Sequence, residues 1–370
     1  MTARTTDEQY MALALDLARK GAGWTSPNPM VGAVIVKDGQ VIGQGYHAKC
    51  GDLHAERAAL ANCQGDPAGA TIYVTLEPCC HHGRQPPCTD AILEAGITRV
   101  VVGSGDPNPL VAGKGLDILR SHGVAVTEGV LDAECKALND VFFHYIQTGR
   151  PYVVLKYAMT LDGKLAAYTG ASQWIPGEEA RRHVHTQRSR FRSIMVGVDT
   201  VLADDPQLTC RIEGGRNPLR IICDSHLRTP LSAKVVQTAK EVPTYLATCV
   251  TQELRLAPYR DLGCNILPVP ESSGHVDLDA LMALLGKMGV DSVLLEGGAT
   301  LHWAAVEAGL VHKVQAYIAP KILGGKTAKS PVGGQGFAHL DQALILKSPA
   351  LTRLGQDILI ESEVESEVTP

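Results

Sequence analysis

Two short segments carry residue types that can hold a metal and move a proton. His54-Ala55-Glu56 opens a helix-like stretch, and Glu77-Pro78-Cys79-Cys80-His81-His82-Gly83-Arg84-Gln85-Pro86-Pro87-Cys88 follows the apolar run TIYVT. His54, Cys79 and Cys88 supply three nitrogen and sulfur donors, which leaves the fourth tetrahedral position of a zinc ion to water, as in a catalytic site. Zinc lowers the pKa of bound water to about 7. A carboxylate two residues past the histidine, Glu56, is placed to take that proton and pass it to a leaving amine. On spacing alone a closed structural Cys/His site is a competing reading, and Cys80 is an alternative ligand to Cys79. His81 and His82 read equally as solvated loop residues and as ligand contacts beside the metal.

This order of residues follows the H-x-E…P-C-x-x-C signature of zinc nucleobase deaminases, except that eight residues separate the two cysteines where the signature has two. In the second half no G-x-G-x-x-G fingerprint follows a strand, so a Rossmann site finds no support. Instead Glu296-Gly297-Gly298-Ala299-Thr300-Leu301 runs from an apolar strand into a helix. Small residues at such a junction let a pyrophosphate approach unpaired backbone N–H groups. In RRHVHTQRSRFR, Arg181, Arg182, His185, Arg188 and Arg192 recur at helical spacing, as a solvated face or an anion site. Lys156 lies in the β-rich run LKYAMT, where a charge needs a partner: an acidic residue such as Asp162, or a substrate.

The elements that must position these residues alternate along the chain. A helix over 6–20, with Thr6 and Gln9 as a capping box, precedes strands at 31–36, 41–46, 71–75, 99–103 and 124–127 and helices near 54–63, 89–95, 113–121 and 133–146. The turn at Thr148-Gly149-Arg150-Pro151 then separates two α/β domains, 1–149 and 150–370. The second holds strands near 152–158, 193–197, 219–223, 243–248, 264–269, 291–296, 312–319 and 357–361 and helices near 177–190, 277–287 and 299–308. Residues 361–370 are expected to fray as a flexible acidic tail. At 370 residues, two cores are the natural division. No apolar run approaches the ~20 residues of a membrane span. The charged N-terminus does not read as a secretory signal, and the ten scattered cysteines then suit a reducing cytoplasm without disulfides. The first 149 residues carry 11 basic and 16 acidic residues, a poor footprint for a nucleic acid partner.

With these motifs in place, PNPMVGAVIVKDG (27–39), GYHAKCGDLHAE (45–56), TLEPCCHHGRQPPCTDAI (75–92) and GDPNP (105–109) resemble the deaminase half of the bacterial bifunctional riboflavin-biosynthesis deaminase-reductases. LKYAMTLDGK (155–164), SQWI (172–175), VGVDTVLADDPQLTCR (196–211), CDSHLRTP (223–230) and LLEGGATL (294–301) resemble their reductase half. The resemblance implies a cytidine-deaminase-like α/β/α domain followed by a dihydrofolate-reductase-like α/β domain, assembled as a homo-oligomer. It implies hydrolytic deamination of 2,5-diamino-6-(5-phosphoribosylamino)pyrimidin-4-one, then NADPH-dependent reduction of the ribosyl group of the product to ribityl. Zinc, one ion per chain, would rest on His54, Cys79 and Cys88, with Glu56 as proton shuttle; the family loop usually has Ser where Cys80 stands. Asn28 reads as a substrate contact or a turn residue. In the reductase half Ser172, Arg188, Leu208, Arg211 and Glu296 would touch substrate, and Lys156 would steady the opened sugar. NADPH would meet Ala158, Trp174, Thr200, Asp204, Ser225 and the run Gly298, Ala299, Thr300, Leu301, His302, Trp303, Ala304, with Arg228 proposed for its 2′-phosphate. Two rivals are a deaminase of bases in nucleic acid, which the 5% aromatic content disfavours, and a zinc-stabilised binding protein without turnover, which an intact Glu56 disfavours.

Overall fold

A computed structural model describes residues 5–83 and 85–365, which fall into two compact units, 1–149 and 150–370. The first runs α1 (Thr6–Arg19), β1 (Gly32–Lys37), β2 (Gln40–Tyr46), α2 (Ala55–Ala61), β3 (Thr71–Leu76), α3 (Cys88–Glu94), β4 (Arg99–Ser104), α4 (Lys114–Ser121), β5 (Ala125–Thr127), α5 (Asp132–Leu138) and α6 (Asp140–Thr148). Its sheet has the order β2-β1-β3-β4-β5, with β1 antiparallel to β2 and β3, and β3, β4 and β5 parallel. Strand residues alternate between two cores. Ala33, Ile35, Ile72, Val74, Val100 and Val102 pack under α2, α3 and α4, while Val34, Val36, Tyr73 and Val101 pack under α1 and α5. The result is an α/β/α sandwich.

Two local expectations shift. The capping box at the first helix is Thr5 with Glu8, one residue earlier than Thr6 with Gln9. The helix expected over 133–146 breaks at Asn139, whose side chain bonds both the N–H (2.8 Å) and the C=O (2.9 Å) of Met30. Here a tertiary contact overrides local helical pattern.

The second unit runs β6 (Tyr152–Thr160), α7 (Glu178–Arg190), β7 (Ser193–Gly197), α8 (Val198–Asp204), β8 (Leu219–Cys223), α9 (Lys234–Gln237), β9 (Thr244–Thr248), α10 (Glu253–Asp261), β10 (Asn265–Pro268), the short pair β11 (Glu271–Ser272) and β12 (His275–Val276), α11 (Leu278–Lys287), β13 (Ser292–Gly297), α12 (Ala299–Glu307), β14 (Lys313–Ala319), β15 (Ala350–Leu354) and β16 (Asp357–Glu363). Its nine-stranded sheet has the order β10-β9-β8-β7-β13-β6-β14-β16-β15, parallel except where β16 meets β14 and β15. The inner parallel strands are buried on both faces, as such sheets require, while the edge strand β10 is partly exposed. Val153, Leu155, Met195, Val293 and Leu295 pack on one side with α11 and α12, and Ile194, Val196, Ile222 and Leu246 on the other with α8, α9 and α10. Glu361, Ser362 and Glu363 complete β16 and are therefore no tail; residues 366–370 lie outside the described residues. Among the described residues no helix is long and apolar enough to cross a membrane.

One contact fixes where the metal motif stands. β2 crosses α2 so closely that a methyl group at Gly45 would lie 2.2 Å from the backbone nitrogen of Ala59 and 2.6 Å from the carbonyl oxygen of Ala55. Replacing Gly45 with Ala is expected to lower stability by about 1–3 kcal/mol through overpacking. Thermal denaturation of the variant, read beside its zinc content, checks this, because α2 must move away from the sheet and take His54 with it.

Candidate active sites

His54 is the N-cap of α2, Cys79 follows β3, and Cys88 is the first residue of α3. Their donor atoms all lie within 4.8 Å of one another. His54 Nδ1 is 3.5 Å from the Cys79 sulfur and 3.4 Å from that of Cys88. The backbone closes the loop between the cysteines: the N–H groups of Cys88 (3.0 Å) and Thr89 (3.2 Å) donate to the Cys79 carbonyl. That is how eight intervening residues still bring the two sulfurs together. Cys80 stands apart, its thiol directed to the Leu110 carbonyl at 3.9 Å, so it is Cys79 that joins His54 and Cys88 in the cluster.

Electrostatics within the cluster favour metal-binding forms. A hydrogen bond from Cys88, with another from His54, holds the Cys79 thiol down at about 4, while bonding to Cys79 and burial push Cys88 up. The cluster thus favours the thiolate at Cys79, and the thiolate is the form that binds metal. Two sulfurs and an imidazole nitrogen are the donor set of a zinc site with one position left open. Glu56, in the first turn of α2, is only 3% exposed, shares a hydrogen bond with Cys88, and is pushed up to about 7 by burial and by Cys79.

These residues face a cavity of about 440 Å³ lined also by Asn28, His47, Glu77, His81, Asp106 and Asn108, with Phe142, Tyr145 and Ile146 of α6. His47 Nδ1 bonds the Leu53 carbonyl at 3.0 Å, leaving Nε2 to accept from the Asn28 amide at 3.2 Å. Burial pushes the His47 pKa down, so the ring is held neutral. Glu77 accepts from the N–H groups of Gly113 (2.9 Å) and Gly115 (3.1 Å) and fixes the far rim, and burial raises Asp106 to about 6. His81 joins this cavity, whereas His82 is exposed. Sequence reasoning did not single out His47, Glu77 or Asp106, although GYHAKCG and GDPNP were its signal.

In the second unit Glu296, at the end of β13, takes both Nε (2.8 Å) and Nη2 (2.7 Å) of Arg188, a bidentate pair, and lies 3.5 Å from the Lys156 ammonium. The partner of Lys156 is therefore Glu296 and not Asp162, which instead accepts from the Thr160 hydroxyl and from the Leu323 and Gly324 N–H groups. Arg188 also donates to the Thr209 carbonyl at 3.1 Å, so it is a structural cation as well as a candidate substrate contact. Arg211 is exposed, its N–H bonded to His185. Burial pushes Glu296 up, yet Arg188 and Lys156 outweigh it and hold the carboxyl at about 2.

Beside this cluster two parallel neighbours, β7 and β13, each run into a helix through a glycine N-cap, Gly197 for α8 and Gly298 for α12. Gly298 has φ +93°, and a methyl group there would lie 3.7 Å from the Thr200 hydroxyl and 3.9 Å from the Gly197 nitrogen. Two helix starts thus share one small-residue cradle, the geometry that receives an anionic pyrophosphate. By pattern the sequence showed only the α12 half of it; the resemblance named Thr200 and Asp204 in VGVDTVLADD, but α8 itself was not expected. Ser172 and Asp204 bond each other at 3.3 Å, and Trp174 is exposed. Thr300 is exposed, Ala299 is partly exposed, and Leu301, Trp303 and Ala304 pack partly inward. The Ser225 hydroxyl accepts from the Val276 N–H, and Arg228 is paired with Asp199 at 2.7 Å. Four side chains are less available: Leu208 is in the core with φ +53°, His302 is buried with Nδ1 on the Pro331 carbonyl, Ala158 packs beside Tyr317, and Leu301 lies against Gly298.

The Glu296 cluster has a pH signature. Its folded pKa of about 2 lies below the ordinary 4.5, so the unfolded chain takes the proton first. The stabilisation is full above about pH 4.5 and is lost as pH falls toward 2. Substituting Glu296→Gln is expected to cost about 3–5 kcal/mol at neutral pH, because two buried cations lose their counter-ion. Urea unfolding of both proteins between pH 7 and 3 checks this; the gap between them should narrow only below pH 4.5.

Comparison with known proteins places this geometry. Residues 4–104 match the cytidine and deoxycytidylate deaminase zinc-binding region, and residues 151–360 match the RibD C-terminal domain. The chain is 54% identical over 361 residues to the riboflavin biosynthesis protein RibD of Actinobacillus pleuropneumoniae, covering 98% of this chain and 96% of that one. It is 42% identical over 367 residues to the protein of the same name from Escherichia coli K12, with coverages of 96% and 98%. Among solved structures, RibD of Acinetobacter baumannii superposes with a TM-score of 0.86 at 39% identity, covering 97% of this chain and 99% of that one. The diaminohydroxyphosphoribosylaminopyrimidine deaminase/5-amino-6-(5-phosphoribosylamino)uracil reductase of Thermotoga maritima gives 0.86 at 37% identity, with coverages of 97% and 98%.

Proposed function

Because the chain belongs to the family of bifunctional riboflavin-biosynthesis deaminase-reductases, we propose that residues 1–149 deaminate the diaminopyrimidinone phosphoribosyl substrate and residues 150–370 reduce the deaminated product. The observation that carries the first half is the convergence of His54, Cys79 and Cys88 beside a buried Glu56. The substrate is a small phosphorylated pyrimidine, and the family resemblance supports a homo-oligomer.

His54, Cys79 and Cys88 would hold the zinc ion, which when bound would supply Lewis acidity and make water acidic near neutral pH. Glu56, dry and fixed on the first turn of α2, moves a proton from the attacking water to the departing 2-amino group. Asn28, oriented by neutral His47, holds the pyrimidine, and the α6 side chains close the apolar side of the cavity. In the reductase unit NADPH supplies the hydride. The glycine N-caps of α8 and α12 would receive its pyrophosphate, and Thr200, Ser225 and Trp174 would bracket the rest. Glu296 stays anionic and anchors Arg188 and Lys156; Lys156 then keeps donor capacity for the opened sugar, with Ser172 and Arg211 at the phosphoribosyl end.

Substituting Glu56→Ala should lower ammonia release by about 10²–10⁴-fold while bound zinc, measured by metal analysis, stays at the wild-type level. The same variant should still oxidise NADPH when given pre-deaminated substrate. Removing zinc with a chelator should abolish ammonia release and spare NADPH oxidation on that substrate. Loss of both activities under chelation would contradict the assignment of zinc to the first unit alone.

A further inference from the structure

The connection from β6 to α7 is long and carries no regular structure over 161–177, yet it is tied down by side chains from elsewhere in the second unit. Lys321, just past β14, donates from its ammonium to the carbonyls of Trp174 (2.9 Å) and Ile175 (2.7 Å). Its own carbonyl accepts from the Leu161 N–H at 2.9 Å, so the same residue joins the start and the end of this connection. Arg181, on α7, donates to the Pro176 carbonyl at 2.8 Å and places its guanidinium 5.1 Å from the Trp174 ring centroid. The indole is nevertheless 59% exposed. An exposed tryptophan whose backbone and ring are each held by a cation does not serve the core. It is a flat surface fixed in advance, and a planar heteroaromatic ring is the ligand that such a surface receives.

We propose that Lys321 and Arg181 are positioning residues for the dinucleotide: they hold Trp174 in place against a flat ring of NADPH without touching the cofactor themselves. The inference rests on the assignment of Trp174 to the NADPH site. Ordering the indole beforehand removes an entropy cost that binding would otherwise bear, so the effect belongs in affinity and not in the chemical step.

The test uses the full chain and NADPH itself, with dissociation constants from fluorescence titration and steady-state kinetics on pre-deaminated substrate. Lys321→Met should raise both Kd and KM for NADPH about three- to tenfold with kcat changed less than about twofold, as expected when charged hydrogen bonds that order a contact are lost. Lys321→Arg should restore binding, Arg181→Met should weaken it in the same sense, and ammonia release should be unchanged in all three. Combining Lys321→Met with Trp174→Ala should add nothing to Trp174→Ala alone, because the lysine acts through the indole. Wild-type affinity in Lys321→Met, or effects that add fully to Trp174→Ala, would overturn the inference alone. Absence of NADPH binding to the unmodified protein would instead overturn the reductase assignment and this inference with it.

Discussion

The seating of α2 on β2 is the constraint from which the first site follows. A zinc site needs donors within a few ångströms, and the candidates come from separate places: the N-cap of α2, the loop after β3 and the start of α3. β3 and its loop are fixed by the sheet. α2 can seat there because Gly45 lets backbone approach backbone, and it carries both His54 and Glu56, the candidate ligand and proton carrier. One helix register therefore sets ligand and acid-base group together. Arg57, the next residue, donates to the carbonyls of Pro86 (3.2 Å) and Pro87 (2.7 Å), which ties the same helix to the approach to Cys88.

The second unit solves a different problem with the same economy. The two helix starts proposed to take phosphate groups lie side by side because the parallel neighbours β7 and β13 lead into them. Parallel topology thus places the N-termini of α8 and α12 together, and glycine at each N-cap keeps the space between them open. Lys156 comes from β6, the other neighbour of β13, so the charged cluster and the cradle both sit on adjacent strands.

What the sequence showed and what it hid divide along the same line. Donor types, their order, the alternating strands and the junction at 149–150 were legible because they are local patterns. The break at Asn139 was not, because it depends on Met30, more than a hundred residues away in sequence. The partner of Lys156 was misread for the same reason: Asp162 is near in sequence, but Glu296 is near in space, one strand over. Spacing left Cys80 and Cys79 as alternatives; in space Cys79 lies with His54 and Cys88, while the Cys80 thiol faces the Leu110 carbonyl. The antiparallel pairing of β16 with β14, which takes up Glu361, Ser362 and Glu363, depends on a neighbour whose register no local pattern shows.

The two buried glutamates make the point sharpest. Glu56 and Glu296 are the same residue, each removed from water, and burial pushes both carboxyls up. Glu56 lies among thiol groups, and the Cys79 charge adds to the effect of burial, so it comes to about 7. Glu296 lies between a guanidinium and an ammonium, and their attraction exceeds the burial penalty, so it falls to about 2. A carboxyl near 7 is suited to exchange protons at neutral pH, whereas one near 2 is a permanent anion that organises cations. The chemistry of the chain thus depends less on which acids it contains than on which charges the fold sets beside them. That assignment exists only once strands and helices have met.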